Sequence, residues 1–276
     1  ANFSSKRRTA RYAGRHADLR RCSDARASIA GMSSVPPLTT SAALDAAAQA
    51  THSAQRSTVA LGAMVALIGL ALLGLWDASG LDLPLARLFG DVGGFDWRNQ
   101  WWMTRVLHDG ARNASWALTL GLAVMIFWPR GVLRCLSRRE RIGLLIGMLV
   151  CLTTMSLMKF TSTTSCPWDL SEFGGTASYV SHWRWGVADG GGGHCFPAGH
   201  ATAGFAWISG WFWLRDRAPR AATVWLCAAL LAGTALGLAQ QIRGAHFMSH
   251  TLWTAWLCWT VAGAVWWALR RWAAPR

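Results

Sequence analysis

The chain has 276 residues, of which 53% are hydrophobic and only 14% charged, with 19 tryptophans and a formal net charge of +14. A soluble domain carries nearer a quarter charged residues, so an ordinary soluble globular protein is excluded. The basic excess follows no nucleic-acid-reading pattern, and no nucleic-acid partner is expected.

The chain opens on a stretch, residues 1–31, rich in Arg, Ala and Ser and without periodicity. Residues 32–57, MSSVPPLTTSAALDAAAQATHSAQRS, are polar and small. Residues 1–55 are therefore expected to form a disordered basic arm, with Met32 as a candidate true start. Such an arm can act as a targeting peptide or touch anionic lipid.

From residue 56 to 272 the chain reads as one membrane domain. Six apolar runs follow one another: Thr58–Trp76, Ala114–Trp128, Ile142–Met158, Phe196–Leu214, Ala221–Leu238 and Phe247–Leu269. About 20 residues of helix cross the roughly 30 Å of a bilayer core. The fold expected is all-α, a polytopic bundle of six transmembrane helices. Trp128, Trp211, Trp213, Trp266, Trp267 and Trp272 stand near run ends, where amphipathic rings favour the headgroup layer.

Charge sets the orientation. PRGVLRCLSRRER after the second run has five arginines and one glutamate, and RDRAPR after the fourth has three arginines and one aspartate. Arg270, Arg271 and Arg276 follow the sixth run. Basic loops stay cytoplasmic. Both termini are then inside, and the segments 77–113, 159–195 and 239–246 face outward, to the periplasm if the cell is bacterial and the membrane its inner one. Of the seven cysteines, only Cys166 and Cys195 fall on that outer, oxidising side.

The same outer segments carry the chemistry. Lys159 ends the third run, followed by FTSTTSCPWDL, the group His182-Trp183-Arg184-Trp185, the glycine run 190–193, His194 and CFPAGH with His200. QQIRGAHFMSH adds Arg243, His246 and His250. These short segments beside helix ends can converge at one depth. Lys159 and Arg243 are cationic donors suited to phosphate. Two histidines supply a nucleophile or base and an acid. Gly199 lets a ligand approach the backbone where a helix begins. His246 and His250, four apart, would share a helix face, so that one orients the other.

Taken singly, an interfacial histidine is a wet amphipathic side chain and a terminal lysine a snorkelling anchor. The glycine run has no P-loop pattern and reads as a flexible loop. A metal site of His194, His200, His246 and His250 ranks below the phosphate reading, since no outer acidic or cysteine cluster stands at ligand spacing. No metal or cofactor is expected.

The order Lys, then P-x-G-H, then G-x-H before an aromatic resembles the phosphatidic acid phosphatase type 2/haloperoxidase superfamily, in its membrane lipid phosphatase branch. Its patterns are K-x6-R-P, P-S-G-H and S-R-x5-H-x3-D. Lys159 and Pro167 match the first, with Cys166 in the arginine position. Pro197, Gly199 and His200 match the second, with Ala198 in place of serine. In the third, His246 is the motif histidine, His250 replaces the aspartate, and Gln240 replaces the arginine, with Arg243 three residues later. A second register would make His250 the nucleophile and put Thr254 in the aspartate position, but it breaks both spacings.

The resemblance implies an enzyme that passes a phosphoryl group through a phosphohistidine without metal. His246 attacks phosphorus, His200 protonates the leaving group, and His250 orients His246. Lys159, Arg243 and the Gly199 backbone hold the phosphate, with Arg184 as a substitute for the missing arginine. The expected substrate is a lipid phosphate or diphosphate met at the headgroup layer, and oligomeric state is left open. The alternatives are a lipid phosphotransferase, or a catalytically degenerate binding or scaffold protein of the same fold. A transporter is disfavoured for want of inverted repeats, and a haloperoxidase because those relatives are soluble.

Cys166 and Cys195 are expected to form a disulfide. They are the only outer cysteines, and each adjoins a motif that must meet the other around one phosphate. The bridge would close a loop of about 30 residues, worth roughly 3–4 kcal/mol in the chain-entropy picture.

Overall fold

The structure, a computed structural model, describes residues 40–184 and 186–272, with side chains for 57–184 and 186–271. The expectations for residues 1–39, for Met32 as a start and for Trp185 lie outside the described residues. Helix α1 spans Thr40–Ser79. It begins well inside the arm expected to be disordered, and the correction has a simple cause. The segment Ala42–Ala50 is dominated by alanine, the strongest helix former, and it runs into the first apolar span without a breaker.

Every regular element among the described residues is a helix, with no strand beyond isolated bridges, while stretches such as 174–184 and 186–198 are irregular. After α1 come α2 (Asp82–Ala86), a π-helical segment (Trp102–Gly110) continuing into α3 (Ala111–Met125), and α4 (Arg138–Thr161). Then follow α5 (Gly199–Phe205), a 3-10 turn (Ala206–Ile208), α6 (Ser209–Leu214), α7 (Pro219–Ile242) and α8 (Met248–Trp272).

Four of these helices are long and apolar enough to cross a membrane: Ser57–Ser79 of α1, α4, α7, and Met248–Arg271 of α8. The second and fourth runs depart from the uniform spans expected. The second opens on a π-helical stretch holding Arg105, His108 and Asp109, which shortens its apolar part. The fourth is broken by the 3-10 turn, and its length from Gly199 to Leu214 falls short of a full crossing.

That broken helix is the centre of the molecule. Nearly every residue from Ala201 to Leu214 is buried, packed by α4, α7 and α8. Small residues permit the close crossings, as in membrane helix pairs generally. A Cβ on Gly204 would stand 2.2 Å from the Gly233 backbone of α7, and one on Gly147 would meet the Ser209 hydroxyl at 2.4 Å. Ser209 in turn donates to the Leu144 carbonyl at 3.0 Å. Outward faces are apolar instead: Leu67, Leu75, Val224 and Leu231 are 68–72% exposed. Soluble monomers do not show such a belt; hydrocarbon is its natural solvent.

The basic end is ordered by capping and ion pairs. Ser137 and Glu140 form a reciprocal capping box at the start of α4. Glu140 also receives Arg217 at 3.0 Å, and Arg270 reaches Asp216 at 2.9 Å. Buried Arg141 donates to the carbonyls of Ile126, Leu133 and Leu136, closing the α3–α4 connection.

At the other end, three chain segments pack into a cap. Ala86, Phe95, Leu170, Phe173, Ala177 and Phe247 form its small core. Trp168 N–H donates to the Gly244 carbonyl at 3.0 Å. Gly244 has φ +72, and a Cβ there would strike the Phe95 ring at 2.3 Å; only glycine meets both demands. The glycine run expected to be flexible is tied down. Buried Asp189 accepts from Ser165 N–H at 2.6 Å, Ser165 O–H at 2.7 Å and Gly191 N–H at 3.0 Å.

Helix α8 is capped in trans. Asp82 of α2, 7% exposed, accepts from Ser249 N–H and Trp76 Nε1–H, both at 3.0 Å, and from the Ser249 hydroxyl. Its charge also suits a helix N-terminus. Asp82→Ala strands three buried donors and is expected to cost about 2 kcal/mol, seen as a fall of about 4–8 °C in Tm. An unchanged Tm for the detergent-solubilised protein would show the cap to be energetically idle.

Candidate phosphoryl-transfer site

The cap and the helix ends beneath it bring most of the sequence-predicted residues together. Lys159 stands in the last turn of α4 and His200 in the first of α5. The aliphatic stem of Lys159 passes beside Gly199, 3.7 Å from where a Cβ would stand, an ordinary van der Waals contact.

His246 lies on the short connection after α7, and His250 in the first turn of α8. Helix α8 starts only at Met248, so the two histidines do not share a helix face as their spacing suggests. The connection instead folds back, and their rings still lie 5.7 Å apart between centroids. His246 is 3% exposed and His250 1%. Burial pushes the His246 imidazole well below its ordinary value, helped by the charges of Lys159, His250 and His200; a backbone hydrogen bond to Cys195 acts the other way. His246 is therefore neutral at pH 7, with a lone pair to offer.

Cys166 and Cys195 are joined by a disulfide with Cα atoms 5.2 Å apart. The Cys195 sulfur sits 3.5 Å from His246 Nδ1 and 2.9 Å from the Ala245 carbonyl oxygen. A disulfide sulfur has no proton, so these are packing contacts that fix the ring. They leave His246 Nε2 as the nitrogen free to attack. Ligand atoms of Cys195, His246 and His250 all lie within 4.8 Å of one another, a grouping that linear spacing hides. The sulfur that would complete a metal site is committed to the disulfide and is not a thiolate.

Arg243 is held by an unexpected partner. Gln240, in the position of the family arginine, is 1% exposed, and its Oε1 accepts from Arg243 Nη1 at 3.2 Å. Arg243 Nε donates to the Arg98 carbonyl at 3.1 Å. The glutamine thus positions the arginine that replaces it. Arg184 is different: it is exposed, on turns following Ser181, and nothing among the described residues ties its guanidinium to the cluster.

Thr254 bears on the register. Its hydroxyl donates to the His250 carbonyl at 2.7 Å and accepts the Ala198 N–H at 2.9 Å. A side chain spent on two backbone groups is a strut, which favours the register with His246 as motif histidine. Ala198, in the serine position, is fully buried.

Sequence reasoning gave no role to four residues that stand at the site: His108, Arg112, His182 and Asp77. His108 lies against His200, ring centroids 3.9 Å apart, and pairs with Asp109 at 3.0 Å. Arg112 follows at 3.6 Å from Asp109. His182 stands beside His250, and Asp77 lies against His182. The only available signal for the first was that the charges of the second run cluster at its outer end.

The helices thus hold buried histidines beside cationic side chains at one end of the bundle. The sequence profile of the PAP2 superfamily matches residues 141–273, the stretch from α4 to α8 that supplies Lys159, His200, Arg243, His246 and His250. The match supports membership of that superfamily, whose members are in general phosphatases. No curated protein and no solved structure matches the chain significantly.

Proposed function

We propose that the protein is an integral membrane phosphatase that hydrolyses a lipid phosphate or diphosphate at the outer, periplasmic face of an inner membrane. The observation that carries this is the neutral, desolvated His246 with Lys159 and His200 near enough to bias its proton affinity. His246 Nε2 attacks phosphorus, the bond to the leaving oxygen breaks, and His200, which takes up a proton when the anionic phosphate binds beside it, gives that oxygen this proton. Water then attacks the phosphohistidine, with His200 now taking the proton. Lys159 and Arg243 balance the charge gathering on the non-bridging oxygens.

A lipid substrate is favoured by an apolar groove of about 890 Å³ between α3, α5 and α7, lined by Ala111, Leu118, Gly204, Trp207, Val224 and Ala232. Ala111, next in sequence to Arg112, and Ala203, three residues on from His200 in α5, line it. A tail lying there would leave its headgroup at the histidines.

Purified protein is to be offered phosphatidate, a prenyl diphosphate and a lipid A phosphate, with and without His246→Ala. Phosphate release that depends on His246 supports the reading. Label passing from one lipid to another, without release, would favour a phosphotransferase; no turnover by either protein would leave the degenerate fold.

The acid limb of kcat/KM provides an independent check. His246 must be neutral to attack, so activity is lost as pH falls through its folded pKa. Burial sets that below the ordinary imidazole value of about 6.5. The limb is expected to have its midpoint well below that ordinary imidazole value. A midpoint at or above ~6.5 would mean that the titrating nucleophile is a solvated histidine, not this one.

A further inference from the structure

The third motif lacks the carboxylate that would sit behind its nucleophilic histidine, and a histidine cannot by itself supply the missing negative charge. We propose that Asp77, at the outer end of α1, supplies it through His182 and His250, making Asp77 and His182 positioning residues for His246. This rests on the phosphohistidine reading above.

The four side chains follow one another through the buried layer beneath the cap. Asp77 Oδ2 lies 3.6 Å from His182 Nε2, with both side chains under 10% exposed. The His182 ring stacks flat on Phe196, centroids 4.4 Å apart and planes 6° from parallel, which fixes its orientation. It stands edge-on to His250, at 5.9 Å and 88°. His250 in turn lies 5.7 Å from His246.

Unspent polar atoms run along the same path. Asp77 Oδ1, His182 Nε2 and His250 Nδ1 are all buried without a hydrogen-bond partner. Buried polar atoms left so are costly and rare, and three of them within one group of touching rings mark a place where protons and charge are meant to shift. When phosphorylation makes His246 cationic, the neighbouring imidazoles can reorient their N–H dipoles and the anionic end of the row is Asp77.

Other carboxylates near the outer face are engaged elsewhere. Asp82 holds Ser249 and Trp76. Asp189 holds Ser165 and Gly191. Asp109 pairs with His108 on the far side of His200. Facing His182 are Asp77 from α1, Asp82 from α2, and His250 with Trp253 from α8. Asp77 also accepts Nε1–H from Trp183 and Trp253, both at 2.9 Å. A purely structural anchor for those two tryptophans is therefore the competing account.

The test uses the full chain in detergent, assayed on whichever of the three lipid phosphates wild type hydrolyses fastest. Asp77→Asn keeps an acceptor for both tryptophans and loses only the charge. His182→Phe keeps the stacked ring and loses the nitrogens. Each is expected to lower kcat at least about tenfold with KM changed less than about threefold, short of the roughly 10⁴-fold seen when a carboxylate bonded directly to a catalytic histidine is lost. The double variant should be no worse than the poorer single one, since both cut one path. In a His250→Asp background, which puts a carboxylate next to His246, Asp77→Asn should cost less than about threefold. Wild-type kcat in Asp77→Asn, fully multiplying effects in the double variant, or an undiminished Asp77→Asn penalty in the His250→Asp background would overturn the proposal. Loss of folding in Asp77→Asn with an active His182→Phe would establish the anchor account instead. If wild type hydrolyses none of the lipids, the phosphohistidine reading itself falls, and this inference with it.

Discussion

His246→Ala is expected to cut kcat/KM by at least about a hundredfold, equivalent to about 2.7 kcal/mol of transition-state stabilisation. The expectation follows from position as much as from residue type. His246 Nδ1 is packed against the Cys195 sulfur at 3.5 Å, so Nε2 alone is free, and the ring is too buried to be replaced by a water molecule without rebuilding the loop. His200→Ala should cost a similar factor through loss of the general acid. The two losses differ in kind: an activated leaving group, such as nitrophenolate, needs no proton and should partly restore His200→Ala but not His246→Ala. His250→Ala should retain more activity than His246→Ala. The opposite ranking would make His250 the nucleophile, against the role that Thr254 plays as a backbone strut. Because no step uses a metal, activity should also withstand a chelator.

The order of the motifs along the chain was enough to expect Lys159, His200 and His246 in one site, because each sits where an apolar run meets a polar segment on the same side. Two kinds of information were not available that way. The first is helix quality inside an apolar run. Hydropathy treats residues 196–214 as a uniform stretch, yet the 3-10 turn at Ala206–Ile208 and the close crossings at Gly204 and Gly147 make it a short, buried core helix. Its neighbours, not lipid, satisfy it. The second is convergence from distant segments. Asp77, Asp82 and His108 belong to a region without any motif, and only the folded cap shows that they stand beside His182, Ser249 and His200. The substitution of Gln240 for arginine also becomes interpretable only in space, where its Oε1 holds Arg243. Arg184 shows the converse: a basic residue in the right outer segment that stands clear of the cluster, because the turns around it leave it exposed.

Breaking the Cys166–Cys195 bridge should be the most damaging change to stability outside the helical core. The link closes a 29-residue separation that contains the Asp189 anchor, the glycine run and His182. Releasing it gives the unfolded chain back roughly 3–4 kcal/mol of conformational freedom in the chain-entropy picture. For a domain of this size that is a Tm lower by roughly 8–15 °C. The bridge also acts locally. Cys195 lies at full burial between the His246 ring and the Ala245 carbonyl, and its partner is fixed one residue before Pro167 of the first motif. Once cut, the loop carrying Phe196 and Pro197 is no longer pinned to the segment after Lys159, and the spacing between His200, Lys159 and His246 loosens. Cys166→Ala and Cys166→Ala/Cys195→Ala should therefore lose activity along with stability, while Cys227→Ala, an exposed thiol on α7, should change neither. Treatment of wild type with a dithiol reductant should lower Tm by at least the shift seen in the double variant. Two observations would sink the idea: both thiols found freely alkylated in oxidised, folded protein, or a double variant that melts with wild type.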